Sequence, residues 1–337
     1  MRSGPELVRA SNEYAREDRA KTWWLLAVTL LAWATSAAVS VFAPWFPLRF
    51  AAAVVSGLVI VRVFIFYHDW LHGAVLTGST LGTGIMRLFG YYLLAGASVW
   101  KETHDYHHKH TAKIVGASIG SYPVVTLGMW RGMTPRQRFA YRAARHPVTM
   151  LFGYVFLFVW GMCLSAFKRQ PRQHLDGFVA LLFHGSLTAA VTLAFNFEAA
   201  ILTVVFPVAM STALGSYLFY AQHNFPDMQI RGRREWEYTY AALRSSSMFE
   251  MPPLMHWFTG NIGYHHVHHL NHRIPFYRLP EAMAAMPELQ HPGRTSWHPR
   301  DIFACLRGHV WDPRQGRMLS YAEAELASPD DNVVAAK

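Results

Sequence analysis

Long apolar runs broken by short polar punctuation set the pattern of this chain. A helix rising 1.5 Å per residue needs about 20 apolar residues to cross a roughly 30 Å hydrocarbon core. Four runs meet that length: residues 22–42, 48–66, 177–195 and 199–220. Only Ala43-Pro44-Trp45-Phe46-Pro47 separates the first two, and only Asn196-Phe197-Glu198 the last two, so each pair is predicted to form a tight hairpin that returns to the side it left. Two further runs are less simple. Residues 81–100 carry Arg87 and four glycines, which predicts an interfacial or shallow helix. Residues 147–167 are long enough to span, yet Arg142 and Arg145 precede them and Lys168, Arg169 and Arg172 follow. Both ends therefore belong on one face, and the segment is predicted to be re-entrant or interfacial. Beyond Gln222 the pattern is that of a soluble part without internal repeats, and the last roughly 10 residues are expected to fray.

Composition sharpens this. At 52% hydrophobic and 15% charged over 337 residues, the chain has the balance of an integral membrane protein. The predicted fold class is an all-α integral membrane protein: four spanning helices in two hairpins, interfacial or re-entrant helices, and a cytoplasmic helical cap. The net charge of +10 gathers beside apolar runs, as at Arg9, Arg16, Arg19 and Lys21, which by the positive-inside rule puts the N-terminus in the cytoplasm. The organisation expected is a cytoplasmic N-terminal segment (1–21), a membrane domain (22–285) and a cytoplasmic C-terminal tail (286–337). No small-residue cleavage site follows the first run, so it is read as a retained helix. The basic charge suits anionic lipid headgroups or an acidic protein partner, and nothing points to nucleic acid. Cys163 and Cys305 lie far apart and are read as packing residues.

The chemistry lies in the 19 histidines. His68 and His72 fall in HDWLH just after the second run; His104, His107 and His108 in HDYHH; His265, His268 and His269 in HHVHH. Positions i, i+3 and i+4 share one helix face, so each cluster can present two or three imidazoles to one point. A lone histidine at a membrane interface is more often an amphipathic anchor than a ligand. Eight at chelating spacing are another matter, because without a shared metal each would need separate partners near lipid. His223 ends the fourth run at the depth where His68 ends the second, and is the ninth candidate. Nine imidazoles exceed what one ion takes, so two ions are expected. Imidazole suits iron, copper, nickel and zinc alike. Asp69 occupies the place where a zinc-protease H-E-x-x-H needs Glu, and Asp69 and Asp105, each directly after a candidate histidine, are expected either to orient an imidazole through its other nitrogen or simply to be solvated. His110, His256, His266 and His272 flank the clusters and are expected to support rather than bind. His184, within the third run, is expected to make an interhelical hydrogen bond. His146, His174, His298 and His309 are isolated and are given no role.

The three clusters, in this order and with Gln222-His223 between the second and third, resemble the membrane fatty acid desaturase and hydroxylase superfamily, and most closely its acyl desaturases. Arg273-Ile274-Pro275-Phe276-Tyr277-Arg278-Leu279-Pro280 is similar to the segment that follows the last box in bacterial members. The likeness covers roughly residues 20–285. It implies two iron ions and O2 as co-substrate, hydrogen abstraction from an unactivated C–H bond of a fatty acyl lipid, and two electrons from a separate donor of ferredoxin or cytochrome b5 type. Some members carry an Asn one helical turn before the helix-end histidine; Phe219 stands there in this chain, and Asn224 or Asn261 is the expected substitute. His291-Pro292-Gly293-Arg294 is similar to the haem-binding turn of cytochrome b5, but too little chain follows for that domain, and it is read as a surface turn. The alternatives are a hydroxylase or ketolase of the same superfamily acting on a carotenoid, sterol or other lipid, and a non-enzymatic haem carrier or metal transporter. The last two would place ionisable groups inside the membrane rather than at one face.

Overall fold

The computed structural model describes residues 1–114 and 119–327. Four helices are long and apolar enough to cross a membrane: Arg19–Phe42, Phe46–Leu71, Leu175–Ala194 and Phe197–Gln222. Each outlasts the apolar run that predicts it, because hydropathy marks the part in lipid while the helix continues into polar residues. The second runs past Phe66 through His68 to a cap at His72, carrying the first histidine cluster on its own last turn. Asp18 caps the first helix by accepting from the Lys21 N–H, and Pro47 sits in the first turn of the second, where its missing N–H costs nothing.

The two hairpins stand side by side with their tips together. Arg49 Nη1 lies 3.0 Å from Glu198 Oε1, and the Phe42 and Phe195 rings meet edge-on at 5.7 Å. The opposite ends, at His72 and His223, therefore emerge at one level. Trp24, Leu31, Phe46, Leu182 and Leu193 project outward as an exposed apolar belt, the surface a bilayer would cover. The chain is an all-α integral membrane protein.

The two ambiguous runs resolve in different ways. Residues 81–100 form two helices, Thr80–Tyr92 and Ala97–His110, instead of the single one expected. The break contains Leu94 at φ +58° and Gly96, where a Cβ would come within 2.9 Å of the Gly177 backbone nitrogen. The first helix keeps Leu81 and Leu88 exposed; the second bears HDYHH. Residues 147–167 begin as the helix Pro147–Leu151 and continue as a π-helix, Tyr154–Ser165, with Leu151, Phe152, Phe156 and Trp160 exposed.

Past Gln222 short helices dominate, with two small sheets among the described residues. Met248–Glu250 pairs in parallel with Arg294–Ser296. Val310–Asp312 pairs in parallel with Val125–Thr126 and antiparallel with Arg317–Leu319. The expected surface turn at His291-Pro292-Gly293-Arg294 is an exposed bend at His291 that leads into a strand: the Gly293 carbonyl accepts from Met248 N–H at 2.8 Å, and a Cβ there would strike the Phe225 ring at 2.2 Å. Met286 and Leu289 belong to the main core, so packing continues across the boundary expected at residue 285. The N-terminal helix Gly4–Ser11 buries Leu7 in the same core, and Ser11 and Asn12 receive the Asn271 amide just past HHVHH. The expected fraying of the extreme C-terminus falls outside the described residues.

Candidate metal centre

Four elements deliver the histidines. His68 and His72 come from the end of the second spanning helix, and His223 caps the fourth. His104, His107 and His108 lie on Ala97–His110, and His265, His268 and His269 on His265–Leu270. All nine candidates come together, in two groups. Ligand atoms of His68, His72, His104, His108 and His268 lie within 4.8 Å of one another, and so do those of His107, His223 and His269. His265 joins the second group, its Nε2 2.9 Å from that of His223 and 3.2 Å from that of His269. The H-x-x-H-H spacing does not aim three imidazoles at one point. Each such helix straddles both groups, His104 and His108 going to the first with His107 to the second, and His268 to the first with His265 and His269 to the second.

Several Nε2 atoms are already committed to facing inward. His68 Nδ1 donates to Asp69 Oδ1 at 3.0 Å, and His223 Nδ1 to the Ser245 carbonyl at 3.1 Å, since neither oxygen can donate. Thr111 gives its hydroxyl proton to the His107 carbonyl at 2.8 Å, so His269 Nδ1, 3.1 Å away, donates to the Thr111 oxygen. A neutral imidazole with its proton on Nδ1 leaves Nε2 a bare lone pair. Those lone pairs face other Nε2 atoms: His68 to His104 at 2.8 Å, and His223 to His107 at 3.1 Å and to His265. Among the described residues, His72 has no hydrogen-bond partner on either nitrogen, and Nδ1 of His108, His265 and His268 has none.

These features fit a metal. With metal–nitrogen bonds of about 2.0–2.1 Å, nitrogens on adjacent corners of an octahedron stand about 2.9 Å apart, close to the observed 2.8–3.2 Å between Nε2 atoms. Protonation favours the same outcome. Burial first, then neighbouring imidazoles, holds His72, His104, His107, His108, His265, His268 and His269 well below the ordinary histidine value. Burial lowers His223 to about 4 against the pull of the Ser245 carbonyl. Neutral rings are what ligation requires.

The signature of the family described as "Fatty acid desaturase" matches residues 44–300, a stretch that contains all nine histidines. The chain belongs to the fatty acid desaturase family. It is 30% identical over 242 residues to a "Fatty acid desaturase" of Bacillus subtilis (strain 168), covering 70% of this chain and 67% of that protein. It is also 22% identical over 311 residues to an "sn-1 oleoyl-lipid 12-desaturase" of Anabaena variabilis, covering 82% of this chain and 79% of the other.

Around the nine histidines, this desaturase divides the remaining candidates. Asp69 is buried; besides orienting His68, its Oδ2 accepts from Phe276 N–H at 2.7 Å. Asp105 is not placed to orient a ring: its Oδ1 is 3.9 Å from His72 Nδ1, beyond hydrogen-bond range, while Oδ2 pairs with Lys101 at 2.9 Å. The two expected asparagine substitutes turn elsewhere. Asn224 donates to Tyr220 Oη and the carbonyls of Cys305 and Gly308, and accepts from Arg145. Asn261, at φ +55°, donates to the Phe276 carbonyl. The Phe219 ring fills the flank of the second group, 5.0 Å from that of His107 and 5.4 Å from that of His223. His266 points away from the site, 3.2 Å from the Leu289 carbonyl; His110 stacks on Tyr106 and His256 faces Tyr264. His272 comes closer, its ring 4.7 Å from that of His72 and 5.1 Å from that of His108. His184 bridges helices: Nδ1 donates to the Tyr92 carbonyl at 2.7 Å and Nε2 meets Tyr154 Oη at 2.9 Å. Thr111 and Ser245 escaped the sequence reading. Thr111 sits four residues after His107, a helical spacing that marks it in retrospect; Ser245 carries no such signal.

Proposed function

We propose that this desaturase introduces a C=C bond into a fatty acyl chain of a membrane lipid, using two histidine-held iron ions, O2 and electrons from a separate carrier. The observation that carries this reading is the convergence of buried, inward-facing Nε2 atoms into two adjoining groups. His68, His72, His104, His108 and His268 would hold one ion, and His107, His223, His265 and His269 the other. When bound, the iron pair supplies the redox chemistry by which O2 and two electrons take two hydrogens from neighbouring acyl carbons, the oxygen leaving as water. The protein's part is to position and to exclude. Asp69, Ser245 and Thr111 each hold one imidazole with its Nε2 inward. Burial keeps bulk water from the site, and Phe219 offers the second group an apolar neighbour rather than a hydrogen-bonding one. The resemblance to an oleoyl-lipid desaturase supports an acyl-lipid substrate. Arg9, Arg16, Arg19 and Lys21, at and before the start of the first spanning helix, support a site on the cytoplasmic face, and the bacterial relatives support a bacterial inner membrane, with residues 1–21 and 286–337 on that side of the membrane domain 22–285.

Expression in a host of simple lipid composition, followed by mass spectrometry of its acyl chains, tests the reading. A new monoenoic or dienoic acid is expected, absent with His268→Ala, together with two non-haem irons per chain. Hydroxylated product would make the chain a hydroxylase, an altered pigment with unchanged acyl chains would make it a carotenoid enzyme, and bound haem or a lone zinc would sink the di-iron assignment.

A further inference from the structure

A hydrogen-bonded path runs from the second histidine group to the protein surface. His269 Nδ1 meets Thr111 Oγ1 at 3.1 Å, and the Thr111 carbonyl accepts the indole N–H of Trp236 at 2.9 Å. Trp236 is half-buried, and Lys113 Nζ lies 3.8 Å from its ring centroid. Just before it comes Arg231-Gly232-Arg233-Arg234, all exposed. The Arg231 guanidinium stacks on Tyr240 at 3.4 Å, while Arg233 and Arg234 have no acidic partner among the described residues. Glu235 is exposed, but Glu237 is committed to capping Tyr238–Arg244, so the patch keeps a surplus of positive charge. Residues 223–250 expose no large apolar side chain, unlike the spanning segments and Leu254. A face that rested in lipid would show some; a face that meets a soluble acidic protein need not.

Resting on the proposed iron site, we propose that the Arg231–Arg234 patch with Lys113 is the docking surface for an acidic one-electron carrier protein, and that Trp236, Thr111 and His269 form the route by which its electron enters. Each docking event oxidises the carrier by one equivalent and reduces the site by one. Two events supply the two electrons that one double bond consumes. Arg233 and Arg234 act on encounter; Trp236 is a positioning residue that ties the patch to a histidine.

The iron-loaded protein in phosphatidylcholine nanodiscs, titrated with a plant-type [2Fe–2S] ferredoxin and separately with the acidic haem domain of a cytochrome b5, tests both parts. At least one carrier is expected to bind, more weakly as salt rises. The double variant Arg233→Glu/Arg234→Glu should weaken that binding about 10-fold or more and remove its salt dependence, while dithionite reduces the site at the wild-type rate. Trp236→Phe should keep iron content and carrier affinity and slow only carrier-driven reduction. The docking surface is overturned if neither carrier binds the wild type or if the double variant binds as well, and is reassigned to lipid if that variant loses only its affinity for phosphatidylglycerol vesicles. Unchanged carrier-driven reduction in Trp236→Phe overturns the route. A wild-type protein without iron would instead defeat the underlying reading, which metal analysis detects before any titration.

Discussion

Thr111 shows how one hydroxyl can set the chemistry of two histidine neighbours. Its proton goes to the His107 carbonyl, so its oxygen must accept from His269. Thr111→Val keeps the shape and removes the acceptor. Iron titration of that variant should show about 10–100-fold weaker binding at the second group, the usual cost of losing a partner behind a metal-binding imidazole, with Thr111→Ser close to wild type. The convergence of the nine histidines was legible in the sequence because a 3.6-residue period turns spacing into direction, but the split of each H-x-x-H-H helix between two groups was not. Asp69 and Asp105 each follow a histidine on a regular helix, yet only the Asp69 carboxylate meets a ring, since positions one apart do not share a face. Asn224 and Asn261 turn away from the site, and Asp105 takes the solvated of its two readings, because adjacency says which residue is near and not where its side chain turns. Asn224 lies beyond a helix end, where local bonds to Arg145 and Tyr220 decide its direction.

Among the elements, the spanning helices were legible because lipid imposes length and apolarity together. The break at Leu93–Gly96, the π-helix and the small strands were not, since each depends on close approach between distant segments, such as Gly96 against Gly177. His184 tests the distinction between holding helices and holding metal. It ties the third spanning helix to Tyr92 and Tyr154, so His184→Ala should retain iron and product formation while losing about 1 kcal/mol of stability, typical of an interhelical hydrogen bond. Equilibrium unfolding in detergent alongside metal analysis reads both quantities. Loss of iron would move His184 into the site.

At the scale of the whole molecule, the buried histidines make stability depend on acidity. The folded values of His72, His104, His107, His108, His265, His268 and His269 lie below the ordinary 6.5, with His223 and His272 at about 4, so the unfolded chain takes up protons that the folded chain refuses. Stability is therefore fully present above about pH 6.5 and is lost as pH falls towards 4; iron, competing with the same protons, should leave over that window. Thermal unfolding and retained iron measured from pH 7.5 to 4 check this, and a flat profile would contradict it. The C-terminal part is needed too. Met286 and Leu289 lie in the main core, and the Cys305 and Gly308 carbonyls receive Asn224. A chain ended at residue 285 should fail to give a monodisperse protein in detergent, as size-exclusion chromatography would show.

The converging histidines run from His68 to His269, and each group of imidazoles draws on HHVHH. During synthesis both hairpins can enter the membrane while that helix is still inside the ribosome. Until it emerges, the first group lacks His268 and the second lacks His265 and His269. On the proposed iron site, metal loading is completed late in the life of the chain, and a ribosome stalled before residue 265 is expected to display an inserted protein with both histidine groups incomplete.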